Sequence, residues 1–266
     1  MPEMKDEDLC LLFETIERYV DLDSVMLVGA RARDILQLRY RNAPPARTTN
    51  DVDLALAVSG WEPLQAMREA YPSPVDAWQK LQIESLPVDV VPFGGLENPP
   101  GEVSAGDGFL MNVAGFAEAF ESCEIHTLSN GVGIKIPSVA GFAALKIHAW
   151  LDRHPRGKYK DAKDLALVLA WYEDDVETLF GEFDEVYDDE IVGEPDRMAA
   201  KVLGSHVAEL LGSDGTEILV DRFHKETEAS LRIFAEHLWV DGEAIHSFER
   251  RELQVHDLVS GLVFPQ

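Results

Sequence analysis

Hydrophobic and polar positions divide the chain into two stretches with different periods. Up to about residue 137, short apolar runs alternate with segments of helical spacing; beyond it the helical spacing continues almost unbroken. Residues 5–20 repeat apolar positions at helical intervals, with acids in the first turn where the helix dipole favours them, and predict a helix. Val25–Val28 is too short and too β-prone for a helix and predicts a buried strand, followed by a helix over Ala30–Tyr40. Two prolines mark a loop over residues 42–50, and Asp51–Val58 predicts the next strand. Trp61, Leu64, Met67 and Ala70 fall on one face of a helix over Trp61–Tyr71, which Pro72–Pro74 ends.

Leu81–Ile83 and Leu86–Val91 read as two further strands, and Glu97–Asp107 as a loop rich in Gly and Pro. Residues 109–121 predict a short strand leading into a helix. Ser129–Asn130–Gly131 between Glu124–Leu128 and Val132–Ile136 is a hairpin signal. Pro137 and Ser138 then open a helix to about Asp152. Helices follow over 160–172, 174–180, 195–212 and 216–239. The pattern predicts an α+β chain: a mixed strand and helix domain over 1–137, then a helical domain over 138–266.

Composition adds to this picture in few places. The 266 residues, 46% apolar and 27% charged, are ordinary for a globular protein with a real core. No apolar run reaches the ~18 residues of a membrane span. Cys10 and Cys123 stand far apart, and the eight histidines are scattered, so a structural zinc site is not expected. The acidic start MPEMKDEDLC lacks the basic opening of a secretory signal, and a cytoplasmic protein is expected.

Charge changes the picture more. The formal net charge of −26 argues against broad, sequence-independent nucleic-acid binding, which rests on Lys and Arg neutralising phosphates. It suits cationic partners instead. Positive charge is nevertheless concentrated: residues 31–47 carry five arginines, and residues 146–163 carry six basic side chains, together 11 of the 23 Lys and Arg. Residues 173–196 hold twelve acids and no Lys or Arg, the pattern of a solvated face. Two basic segments in so acidic a chain point to an anionic ligand.

The chemistry begins at Asp51 and Asp53. Residues two apart on a strand share a face, so the two carboxylates point the same way. Adjacent carboxylates repel unless a cation lies between them, and hard oxygen ligands suit Mg2+. The plain alternative is an edge strand with two solvated aspartates. Asp89 sits within a second apolar run, where a lone carboxylate needs a partner; it reads as a third carboxylate on a neighbouring strand, while capping a turn or pairing with an arginine accounts for the same residue. Gly29 and Ala30 close the first strand where a helix begins, and such a turn offers free N–H groups to an anion. A glycine chosen for its turn alone accounts for the same residue. Lys146 lies on an otherwise apolar helix, where it snorkels to solvent or meets an anion. Together these are parts for phosphoryl or nucleotidyl transfer, in which catalysis is mostly positioning and charge stabilisation.

The spacing of Gly29 and Ala30 with Thr49, Asp51 and Asp53 resembles the G-[GSA]-x…T-x-D-h-D-h signature (h apolar) of the polymerase-β-like nucleotidyltransferases. "VDVVPFGGLE", "MNVAGFAEAF", "AGFAALKIHAWLDR" and "KYKDAKDLALVLAWY" resemble the branch related to AbiEii/MenT toxin-type enzymes, over about residues 24–172. The resemblance implies a nucleotidyltransferase-like mixed sheet flanked by helices, followed by a helical domain. It implies an enzyme that moves an NMP from an NTP to an acceptor with release of pyrophosphate. Asp51 and Asp53 would bind Mg2+, with Asp89 as third ligand or as the base. Gly29 and Ala30 would receive the triphosphate, with Arg31 or Thr49 in contact. Lys146 would bind phosphate and Asp161, in the K-x-K-D-x-x-D stretch from Lys158 to Asp164, would orient that end. Ala30 replaces the usual Gly or Ser and Lys158 an arginine, removing a hydroxyl and a bidentate fork. The acceptor stays open between tRNA, a protein and a cationic small molecule of the aminoglycoside type. A catalytically silent nucleotide-binding module of a toxin–antitoxin pair is the remaining alternative.

Overall fold

A computed structural model describes residues 6–41, 50–75, 77–105, 110–240 and 246–263. The chain forms two compact units, Met1–Ser138 and Val139–Gln266.

The first unit is built on a mixed sheet. Helix α1 (Glu7–Ile16) buries Leu9, Leu12, Phe13 and Ile16 at helical spacing. Strand β1 (Val25–Val28) is buried at all four positions, as its unbroken apolar run requires. Helix α2 (Gly29–Arg41) leaves it without an intervening loop. Then come β2 (Val52–Val58), α3 (Glu62–Ala70), β3 (Lys80–Ile83) and β4 (Leu86–Gly94). The short pair β5 (Glu102–Ser104) and β6 (Leu110–Asn112) stands apart as its own two-stranded sheet. Helix α4 (Phe116–Glu121) and the hairpin β7 (Glu124–Thr127) and β8 (Gly133–Ile136) complete the unit. The main sheet has the order β3-β4-β2-β1-β8-β7. Strand β1 runs antiparallel to β2 and parallel to β8, and β2 runs parallel to β4.

Two expectations need correction here. The stretch expected as a loop over Glu97–Asp107 contains β5, whose Val103 is fully buried; a single apolar residue among Gly and Pro gives too little pattern to see. The strand expected over Leu86–Val91 runs on to Gly94, because its pairing with β2 continues through Pro92 and Phe93.

The second unit is helical. Helices α5 (Val139–Arg153), α6 (Lys160–Asp174) and α7 (Val176–Phe183) are followed by α8 (Pro195–His224), which bends at Gly212. Helix α8 packs against α5, α6, α7 and the last helix, α10 (Phe248–Leu262). The α8–α10 crossing is glycine-dependent: a Cβ on Gly204 would lie 2.2 Å from the Leu258 carbonyl oxygen, and one on Gly261 2.1 Å from that of Lys201. Ion pairs join the same two helices. Arg197 donates to both oxygens of Asp257 at 2.7 and 3.0 Å, and Arg250 pairs with Asp196. Burial alone would raise the Asp196 pKa, but the hydrogen bonds and charge of Arg250 outweigh it and hold the carboxyl below its usual value.

The backbone leaves the helical region at Gly212, where the pattern ends the helix over 195–212; the helix expected over 216–239 is two, the part of α8 beyond Gly212 and a separate α9 (Glu228–His237). Thr227 and Ser230 form a capping box: the Ser230 amide donates to Thr227 Oγ1 at 3.1 Å, and the Thr227 amide to Ser230 Oγ at 2.9 Å. That box starts a new helix where apolar spacing alone suggested continuation. Helix α10, N-capped by Ser247, lies beyond the last helix read from the pattern.

Candidate active site

The sheet register sets out the candidate site. Asp53 lies on β2 opposite Val28 of β1, and Asp89 of β4 lies directly opposite Asp53. Paired residues on neighbouring strands face the same side, so both carboxylates belong to one row across the sheet. Their flanking residues Val52, Leu54, Val88 and Val90 are buried on the other side. Asp51 precedes β2 by one residue. It lines a cleft of about 530 Å3 together with Asp8, Arg31, Glu84 and Pro87.

Gly29 explains why this turn needs a glycine. Its φ is +65°, and a Cβ there would lie 2.0 Å from Asp53 Oδ2. Any side chain would therefore both strain the backbone and displace the Asp53 carboxylate. The start of α2 is held directly against that carboxylate.

The row does not end at Asp89. Lys80 of β3 pairs with it in register, and the ammonium lies 2.6 and 2.8 Å from the two Asp89 oxygens. Among the described residues no three His, Cys, Asp or Glu side chains converge as a metal-holding group. Asp51, Asp53 and Asp89 share a region without forming a three-carboxylate cluster. Lys80 was not singled out from the sequence, yet a signal exists. Glu84 and Ser85 make the tight turn between β3 and β4, and counting back from it sets Lys80 opposite Asp89.

The arginine-rich segment is largely committed to its own unit. Arg31 donates both terminal nitrogens to Asp8, at 2.7 and 2.8 Å. Arg33 is wholly buried and bonded to Asp34, and Arg39 pairs with Glu124. Thr49 and Arg47 lie outside the described residues.

Lys146 and Asp161 belong to the helical unit. Asp161, in the first turn of α6, is completely buried. The Lys146 ammonium lies 3.2 Å from Asp161 and 2.6 Å from Asp164, and Arg153 reaches both Asp161 oxygens at 3.1 and 3.2 Å. The K-x-K-D-x-x-D stretch is therefore an ion network that ties α5 to α6. Its two aspartates, Asp161 and Asp164, are both buried. Arg156, Lys158 and Lys160 are exposed beside it.

A mixed sheet flanked by helices, with paired aspartates beside a strand-to-helix turn and a helical unit following, defines a nucleotidyltransferase fold. The family model for the nucleotidyl transferase AbiEii toxin of type IV toxin–antitoxin systems matches residues 10–225, and the chain belongs to this family. It is thus a nucleotidyltransferase. Comparison with curated proteins gives no match. No helix among the described residues is long and apolar enough to cross a membrane.

Proposed function

We propose that the chain transfers an NMP from an NTP to an acceptor with release of pyrophosphate, using Mg2+ held by Asp51 and Asp53. The observation that carries this reading is the Gly29–Asp53 approach, which brings a helix start and a carboxylate together with no room for a side chain. The donor set suits the ion: Mg2+ is commonly bound by one or two carboxylates and completed by substrate phosphates and water. When bound, Mg2+ would neutralise triphosphate charge and make the α-phosphorus more electrophilic.

The chain's own groups supply the rest. Amides at the start of α2 donate to phosphate oxygens, and the helix dipole favours negative charge there. An acceptor hydroxyl or amine attacks the α-phosphorus. The bond to the bridging oxygen breaks, pyrophosphate leaves, and the acceptor's proton passes to solvent or a carboxylate. Arg31 is held by Asp8 and so acts on the cleft through that pair. The roles of Lys146 in contacting phosphate, and of Asp161 in orienting it, rest on the family motif.

Among the described lining residues of the cleft, the acids Asp8, Asp51 and Glu84 stand against one base, Arg31, which favours a cationic small molecule as a second reading of the acceptor. One experiment separates the readings. The protein is incubated with each α-labelled NTP and Mg2+ in the presence of total tRNA, the chain itself as protein acceptor, or a panel of polyamines and aminoglycosides. Label is expected in one acceptor class and lost by more than ~100-fold in Asp53→Asn. Transfer unchanged in Asp53→Asn, or absent with every acceptor while NTP still binds, overturns the reading; the latter outcome describes a silent nucleotide-binding module.

A further inference from the structure

The row Asp53–Asp89–Lys80 runs across three neighbouring strands at one level, with strands about 4.8 Å apart. Both oxygens of Asp89 lie within hydrogen-bond distance of one ammonium, while Asp53 is fixed against Gly29 at the other end. A metal ligand at Asp89 would have to share a carboxylate already spanned by a cation, and two cations on one carboxylate repel each other. The absence of a three-carboxylate group among the described residues agrees with this.

We propose that Lys80 is a positioning residue of the transfer site, which keeps Asp89 as its ion-pair partner and outside the metal's coordination shell, leaving the metal to Asp51 and Asp53. This rests on the magnesium-dependent reading above and deepens it. Lys80 cancels one of the three negative charges contributed by the aspartates. It also places a fixed ammonium one strand beyond Asp89, on the face where a triphosphate would bring negative charge. Neither partner is sealed away: the Lys80 and Asp89 side chains are 34% and 26% exposed. An ion pair of this exposure contributes little to stability, so a substitution there reports on the site and not on folding.

The alternative is an ordinary cross-strand pair with no bearing on the metal. Mn2+ binding, followed by loss of the free-ion EPR signal on the full chain, distinguishes the two without any measurement of activity. Lys80→Met releases Asp89 and is expected to tighten Mn2+ binding about tenfold. Asp89→Asn alone is expected to leave the affinity within about twofold of wild type, and Lys80→Met combined with Asp89→Asn to return it there. Lys80→Arg keeps the cation and should behave as wild type. Lys80→Gln, which removes charge with less apolar surface, guards against a Met-specific effect.

A tenfold loss of Mn2+ affinity in Asp89→Asn would make Asp89 a ligand despite Lys80 and overturn the proposal. So would an unchanged affinity in both Lys80→Met and Lys80→Gln. Asp53→Asn is the control on the underlying reading. If wild-type protein shows no Mn2+ binding that Asp53→Asn abolishes, the metal assignment itself fails and takes the role of Lys80 with it. If that control holds while the Lys80 variants change nothing, only the role of Lys80 fails.

Discussion

Two lysine–aspartate pairs occur in this molecule at motifs expected to serve one reaction, and they are built in opposite ways. Lys80 and Asp89 face each other across β3 and β4, and both reach solvent. Lys146 lies between Asp161 and Asp164 in the helical unit, with side-chain exposures of 11%, 0% and 1%. The first pair stands in high dielectric, where partners exchange at small cost. The second is buried at Lys146, Asp161 and Asp164, is reinforced by Arg153, and loses charge balance away from water when a member is removed. The sheet pair can therefore tune the charge near Asp53 without affecting the fold. The helical motif must hold its fold before it can serve anything else.

The largest expected effect tests the buried pair. Asp161→Ala removes one of the carboxylates that hold the Lys146 ammonium and takes from Arg153 the carboxylate it reaches. A loss of about 3–5 kcal/mol is expected in urea denaturation, of the size measured when one member of a buried pair is removed. A loss below ~1 kcal/mol would place Asp161 in effectively wet surroundings and erase the contrast with Asp89. Lys146→Met leaves two buried carboxylates side by side and is expected to cost a similar amount, recovered in part by adding Asp164→Asn. For this reason lost activity in Lys146→Met identifies a phosphate contact only if the variant is shown to be folded.

A second buried group in the same unit gives the next effect. Arg222 donates to His148 Nδ1 at 2.8 Å, and since a guanidinium has no acceptor, that nitrogen must be unprotonated. Burial first, and the Arg222 charge second, push the His148 pKa down to about 3. The unfolded imidazole titrates near 6.5, so below that pH the unfolded chain takes up a proton that the folded chain refuses. Stability is complete above pH ~6.5 and falls progressively towards pH ~3. By pH 5 the loss from this residue is about 2 kcal/mol. His126 and His246 are also lowered by burial and titrate in the same direction, so the test is a difference. Between pH 7 and 5, wild type should lose about 2 kcal/mol more than His148→Gln, which still accepts from Arg222. Equal losses would show His148 to be accessible to protons.

The same division between pattern and partner decides what could be read from the sequence. Strand β1, strand β2, the hairpin and α5 follow from apolar spacing and turn residues, because each carries its own period and end signals whatever distant element then covers it. Strand β5 and the break before α9 did not follow, since one rests on a single buried Val103 and the other on a two-residue cap. At the site, Asp51, Asp53, Asp89 and Gly29 could be chosen as residues. Their roles could not be fixed, because a carboxylate's role depends on its partner, and partners come from register. Lys80 meets Asp89 only once the Glu84–Ser85 turn is counted. Of the five arginines of residues 31–47, Arg31, Arg33 and Arg39 pair with acids far apart in sequence or inside the same helix, partners that the charge pattern alone does not name.

The smallest expected effect closes the comparison from the other side. Lys80→Met removes one member of a pair with side chains about a third and a quarter exposed, so the Asp89 carboxylate left behind is still hydrated. Its stability should fall by no more than ~1 kcal/mol, and less at high salt, where the pair is already screened. The methionine keeps the apolar stem against the sheet, so packing loss should not add to this. Guanidinium unfolding would mask the difference by screening; urea at two ionic strengths shows it. A loss of several kcal/mol would mean that Asp89 is as dry as Asp161. Lys80 would then be a structural residue whose effect on metal binding reflected a damaged sheet. A loss within the expected limit, alongside a tenfold change in Mn2+ affinity, would instead separate the role of Lys80 in the site from any role in the fold.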